Sequence, residues 1–229
     1  MPWMRAPGLT AFRMPPKPGA VRFATILGLV ALAGCHPSQE GLDRNHDGVT
    51  RVACLGDSNT AAVPYPSWCD LLGESSPGWV MSNRSAGGMT IMDFGATYGG
   101  FVLAAAPHVD EMLTLDKPDV VILAFGTNDL WRWAPPKKIV EAYAETKARI
   151  ERAGVRCLIA LTPPTKPPQP PALNDAIRDL NERLRKAFPS EIVDFWSGIS
   201  ADDIKPDGLH MTTAGQTKRA AAAREALLR

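Results

Sequence analysis

Asp119-Val-Val-Ile-Leu-Ala-Phe125 is the stretch on which the fold turns. Neighbouring side chains of a strand point to opposite faces, so this run is apolar on both faces. That is the mark of a parallel strand covered by helices on either side. Apolar runs at 52–55, 79–82, 155–161 and 191–195 predict four more strands. Helical periodicity separates them. In 136–153, Ile139, Tyr143, Thr146, Ile150 and Ala153 recur three or four apart, and Gly154 ends the helix. In 172–188, Leu173, Ile177, Leu180, Leu184 and Phe188 form one stripe that Pro189 stops. An Ala-rich helix over 213–228 closes the chain. The alternation predicts a single doubly wound α/β domain over residues 49–229, with a mostly parallel five-stranded sheet and helices on both faces. Six prolines within 163–171 (PPTKPPQPP) make a stiff loop after the fourth strand, either a wall of a cleft or a rigid connector.

The 229 residues are 45% hydrophobic and 21% charged, which excludes a disordered chain and a multi-span membrane protein. Lys and Arg total 25 against 24 Asp and Glu, too balanced for a protein that tracks nucleic-acid phosphates. The balance is uneven. Residues 1–34 hold Arg5, Arg13, Lys17 and Arg22 and no acid. They end in an apolar run, 23–33, too short for a stable membrane-spanning helix but suited to a secretory signal peptide. Leu32-Ala33-Gly34-Cys35 resembles the lipobox of bacterial lipoproteins, which implies cleavage before Cys35 and lipidation of its thiol. Met14 is an alternative start. The expected location is the cell envelope, with the membrane as partner through Cys35. His36 rather than Asp after the cysteine favours the outer membrane by analogy.

Residues 36–48 are polar and turn-rich and read, after Cys35, as a tether. Asp43, Asn45 and Asp47 open like a calcium loop, but Cys54 stands where the bidentate Glu is needed, so a solvated Asx turn is preferred. Cys54, Cys69 and Cys157 permit one disulfide in an oxidising compartment. Cys54 and Cys69 are the nearest pair, and buried thiols fit equally well.

Four short motifs fall at predicted strand ends or just before the last helix. They are Gly56-Asp57-Ser58-Asn59, Asn83-Arg-Ser-Ala-Gly-Gly88, Gly126-Thr127-Asn128-Asp129 and Asp207-Gly-Leu-His210. In this order and spacing the chain resembles the SGNH, or GDSL-type, serine hydrolases over about residues 50–229. In the flavodoxin-like strand order 2-1-3-4-5, the loops carrying Ser58, Gly88 and Asn128 would converge at the switch point.

The resemblance implies Ser58 as nucleophile, His210 as base and Asp207 as its orienting acid, with Pro206 keeping that segment a turn. It also implies an oxyanion hole from the Ser58 and Gly88 amides and the Asn128 side chain. His36, His46 and His108 lie outside the motifs, and Asp57 and Asp129 read as loop braces. Asn59 replaces the leucine of the family name, a change expected not to touch the chemistry. Ser85 stands where a glycine is common, which leaves that loop's path less defined. Trp131 and Trp133 either stack on a sugar or pack, and packing is preferred. No metal or organic cofactor is implied. The expected activity is ester hydrolysis through an acyl-enzyme, on a short acyl group such as acetyl on a carbohydrate, because no apolar acyl groove is evident near the motifs. A lysophospholipase or thioesterase, an acyltransferase and a silent glycan-binding lipoprotein are the alternatives.

Overall fold

The computed structural model describes residues 41–61 and 66–229. The proposed signal peptide 1–34 and the lipidation site Cys35 lie outside the described residues. The elements in chain order are β1 (Thr50–Gly56), α1 (Ser58–Ala61), α2 (Trp68–Glu74), β2 (Trp79–Asn83), β3 (Thr97–Tyr98), β4 (Phe101–Val102) and α3 (Ala105–Leu115). They continue with β5 (Val120–Ala124), α4 (Thr127–Trp131), α5 (Pro136–Arg152), β6 (Arg156–Ala160), α6 (Pro171–Ala187), β7 (Ile192–Val193) and α7 (Thr213–Leu227). The five main strands pair in the order β2-β1-β5-β6-β7, every pair parallel, which is the expected 2-1-3-4-5 arrangement.

Alternation along the strands divides the core. Ala53, Leu55, Val121, Leu123 and Ile159 join one layer with α3, α5 and α6. Val52, Cys54, Val120, Ile122 and Leu158 join the other with α2 and α7. All five residues of β5 are buried, as its two-faced apolar run requires. Helices α5 and α6 each begin with proline at the first turn, where a missing N–H costs nothing. Tyr143 of α5 reaches the end of β5, accepting from the Phe125 amide (2.8 Å) and donating to its carbonyl (3.1 Å).

Two expectations change. The last stretch of the supposed tether packs onto the domain: Leu42 is 4% exposed in the α2–α7 layer, and the Arg44 amide donates to Asp119 Oδ1 at 3.0 Å. Asn45 and Asp47 there each accept the amide two residues on, forming Asx turns, and the Asp43 carboxylate accepts the Asp47 and Gly48 amides. The cysteine question also resolves. Cys54 of β1 and Cys69 of α2 form a disulfide, and Cys157 is a buried free thiol. The hairpin β3–β4 went unpredicted because its four residues are all exposed and carry no apolar alternation.

Candidate active site

The turn out of β1 is shaped by crowding. A Cβ on Gly56 would fall 2.5 Å from both the Ala124 carbonyl oxygen and Thr60 Oγ1, so glycine alone lets the chain bend here against β5. Asp57 is buried and its Oδ1 accepts the Asn59 amide at 2.9 Å. The Thr60 and Ala61 amides close on its carbonyl, and Ser58 is thereby set at the first position of α1. Burial lifts the Asp57 carboxyl to about 6.

His210 arrives from the far end of the chain. Its Nε2 lies 2.9 Å from Ser58 Oγ and its Nδ1 lies 2.8 Å from Asp207 Oδ2. Asp207 Oδ1 accepts the Leu209 and His210 amides at 2.8 and 2.9 Å. Partial burial pushes the Asp207 carboxyl up, but these two amides and the imidazole outweigh it and hold the group down at about 2. An ionised carboxylate only accepts, so Nδ1 carries the ring proton and Nε2 faces the serine hydroxyl as acceptor.

Asn59 has a larger part than expected. It is 3% exposed, its Nδ2 donates to the Leu209 carbonyl (3.2 Å) and its Oδ1 accepts the Met211 amide (3.1 Å). One side chain thus grips the backbone on both sides of His210. Its own carbonyl accepts from Gln216 Nε2 and Arg219 Nη1 at 3.0 and 2.7 Å, both buried on α7. The available signal was an amide, directly after the serine, where the related motif has a hydrocarbon.

The second and third motifs close on the same place. A Cβ on Gly87 would lie 4.0 Å from Ser58 Cβ, and Gly88 takes φ +80°, a conformation that favours glycine. Asn128 Nδ2 donates to the Met89 carbonyl at 3.0 Å, which fastens α4 to the Gly88 loop and leaves its second N–H for another acceptor. Asp129 is wholly buried and accepts the Ile91 and Met92 amides, the brace expected of it. Burial lifts its carboxyl to about 6 against those two bonds. Ser85 does not loosen its loop: its amide is held by Asn83 Oδ1 at 3.2 Å and its hydroxyl reaches the Cys54 carbonyl.

Other predicted residues stay apart from this cluster. His46 sits in the Asx turn, His108 bonds the Val102 carbonyl and stacks on Phe101, and His36 lies outside the described residues. Trp131 and Trp133, expected to pack, are instead 47% and 91% exposed. Trp131 ends α4, and Trp133 takes φ +61° in the turn that follows it. Among the described residues no group of three His, Cys, Asp or Glu side chains is placed to hold a metal ion.

Residues 54–218 match the model of the GDSL-like lipase/acylhydrolase family. No curated protein matches the chain in sequence. Solved structures do match in fold. An aryl esterase of M. smegmatis is 19% identical with a TM-score of 0.65, covering 77% of this chain and 97% of its own. A carbohydrate acetylesterase from Sinorhizobium meliloti is 18% identical with a TM-score of 0.64, covering 79% and 100%. The psychrotrophic esterase EstA from Pseudoalteromonas is 21% identical with a TM-score of 0.59, covering 78% and 96%. The family match spans well over half of the sequence, from just before Ser58 to beyond His210, and on that ground this chain belongs to the GDSL-like lipase/acylhydrolase family.

Proposed function

We propose that this chain hydrolyses carboxylic esters through an acyl-enzyme on Ser58. The observation that carries the reading is the run of contacts Ser58 Oγ to His210 Nε2 (2.9 Å) and His210 Nδ1 to Asp207 (2.8 Å). Ser58 Oγ attacks the ester carbonyl carbon while its proton passes to His210 Nε2. Asp207 holds the tautomer and stabilises the imidazolium. The carbonyl oxygen becomes an oxyanion facing the Ser58 and Gly88 amides and the second N–H of Asn128. Collapse breaks the ester C–O bond, and the alcohol leaves with the proton from His210. Water, deprotonated by the same nitrogen, then releases the acid and restores the serine. A silent glycan-binding role gives no reason for this hydrogen-bonded relay.

For the substrate, a short acyl group such as acetyl on a carbohydrate remains one reading, and the carbohydrate acetylesterase among the fold relatives supports it. A second reading, an ester with a longer hydrocarbon arm, is favoured by an apolar groove beside the Asn128 loop. The leader, the Cys35 lipobox and the Cys54–Cys69 disulfide together support export and a lipid-anchored place in the cell envelope. No helix of the described residues is long and apolar enough to cross a membrane.

Ser58→Ala tests the chemistry. The variant is expected to lose at least about a hundredfold in kcat/KM on nitrophenyl esters and to escape labelling by a fluorophosphonate that modifies the native chain. A smaller loss, or labelling of the variant, removes Ser58 from the role.

A further inference from the structure

The relay leaves one buried charge without a part in it. Arg219 of α7 is only 2% exposed. Its Nη1 donates to the Asn59 carbonyl at 2.7 Å and to Gln216 Oε1 at 3.2 Å. Its guanidinium carbon lies 4.4 Å from the centre of the Phe195 ring and 5.8 Å from that of Trp68. Nothing neutralises it at close range. Among the described residues it forms no ion pair, its Nε has no hydrogen-bond partner, and the carboxyl that bears on its charge is the buried Asp57. Burial pushes the guanidinium down to about 9, as expected of a cation taken out of water.

A buried charge without a partner ion is a poor way to stabilise a fold, since an apolar side chain of similar volume is commonly as stable or more so. Breaches of that rule gather at functional sites. What Arg219 holds is the chain beside the nucleophile. Helix α1 begins at Ser58 and is four residues long, too short to keep its shape by its own hydrogen bonds. Arg219 reaches it by two routes. One is the Asn59 carbonyl, and the other is Trp68, whose Nε1 donates to Thr60 Oγ1 at 3.2 Å. Asn59 in turn grips the backbone on both sides of His210. We infer that Arg219 is a positioning residue for the reaction: its guanidinium, set against two aromatic rings and the Asn59 carbonyl, fixes the Ser58 turn and, through Asn59, the place of His210. A planar guanidinium can lie on a ring and donate in its own plane at once, which a lysine ammonium cannot. Its hydrogen bonds stop at Asn59 and Gln216, so it acts through them and not on the ester. This inference rests on the ester hydrolysis proposed above and adds a residue to it.

Arg219→Met tests it, because that change keeps an unbranched side chain and strands no acceptor. Gln216 Nε2 still donates to the Asn59 carbonyl, and the Trp68 amide still donates to Gln216 Oε1. The urea midpoint of this variant is expected at or above the native value. Its kcat on nitrophenyl acetate is expected to fall about tenfold with KM changed by less than about twofold. A residue that serves only the core would move stability and activity together. Arg219→Lys keeps a donor without the plane and is expected to recover part of kcat. Arg224→Met, an exposed arginine of the same helix, is the control that keeps native kinetics. The rate at which a fluorophosphonate labels Ser58 reads the same placement without ester turnover and is expected to fall with kcat. Native kcat and labelling rate in a folded Arg219→Met chain overturn the assignment. Should that variant not fold, Arg219→Lys decides: a kcat at least about threefold down in a chain of native stability upholds the role, and native kcat overturns it. Loss of folding in both variants also overturns it, since Arg219 would then serve the core. A native chain that is labelled but hydrolyses no ester ends the hydrolase reading alone, and the labelling rates of native and Arg219→Met then decide the positioning role. A native chain that is neither labelled nor active ends both.

Discussion

Asn59 shows how much one amide controls. Its two side-chain bonds fix the carbonyl of Leu209 and the amide of Met211, which anchors the backbone on both sides of the ring that meets Ser58. Replacing it with the leucine of the family motif deletes both bonds and leaves two backbone groups without partners. Misplacing a catalytic group by about 1 Å can cost on the order of a hundredfold in rate. Asn59→Leu is accordingly expected to reduce kcat between about ten- and a hundredfold with a small change in KM, and full activity in a folded variant would show that the grip is dispensable. The position next to the nucleophile thus helps set the geometry of a base that comes from the far end of the chain.

The proline loop at 163–171 acts as an element. It connects β6 to α6, and it also braces the turn that carries Asp207. The Lys166 amide donates to the Gly208 carbonyl at 2.9 Å, Gln169 Nε2 holds the Asp207 carbonyl, and Lys166 Nζ caps the Ala201 carbonyl at 2.7 Å. Asn174 of α6 clamps Thr165 through both its amide and its carbonyl. Gly208 sits at φ +73° with the Lys166 carbonyl oxygen where a Cβ would be, so the two segments meet too closely for any side chain there. The brace matters because the Asp207 and His210 side chains are 47% and 30% exposed and have little packing to hold them. Gln169→Ala removes one neutral hydrogen bond, worth about 0.5–1.5 kcal/mol, so a fall in kcat of roughly two- to tenfold with KM nearly unchanged is expected in steady-state assays. An equal loss in KM would mean that Gln169 touches substrate instead.

The molecule as a whole carries opposing proton linkages. Asp57 and Asp129, lifted to about 6 by burial, bind protons in the folded state that the unfolded chain has released. Between about pH 4 and 6 the folded state therefore holds more protons, and stability falls as pH rises through that window. Each contributes at most about 3 kcal/mol at the usual 1.36 kcal/mol per pK unit. Asp207, held at about 2, acts in the other sense: its stabilisation is complete above about pH 4 and is lost as pH falls toward 2. Denaturant unfolding is thus expected to show a stability maximum near pH 4, and Asp57→Asn is expected to flatten the decline toward pH 6. A decline of native steepness in that variant would place the proton uptake elsewhere.

Local physics made much of this legible before any coordinates. The two-faced apolar run of β5 and the three-to-four spacing of Ile139, Tyr143, Thr146 and Ile150 each depend on one segment meeting a layer, so element types and the doubly wound class could be read directly. The four motifs were legible through their resemblance, in order and spacing, to a known family, and their glycines and short polar residues mark turns at strand ends. What stayed hidden were meetings between distant segments. Asn59 with Leu209 and Met211, Gln169 with Asp207, Cys54 with Cys69, and the groove between Trp133 and Leu173 each need two stretches of chain brought together. Leu42 escaped notice as core because a lone leucine in a polar run has no period. Trp131 and Trp133 looked like packing because composition records that a ring is apolar and says nothing of whether the fold leaves it in solvent. Periodicity reports which face of an element is buried, whereas only the folded chain sets which loops come within hydrogen-bonding reach of one another.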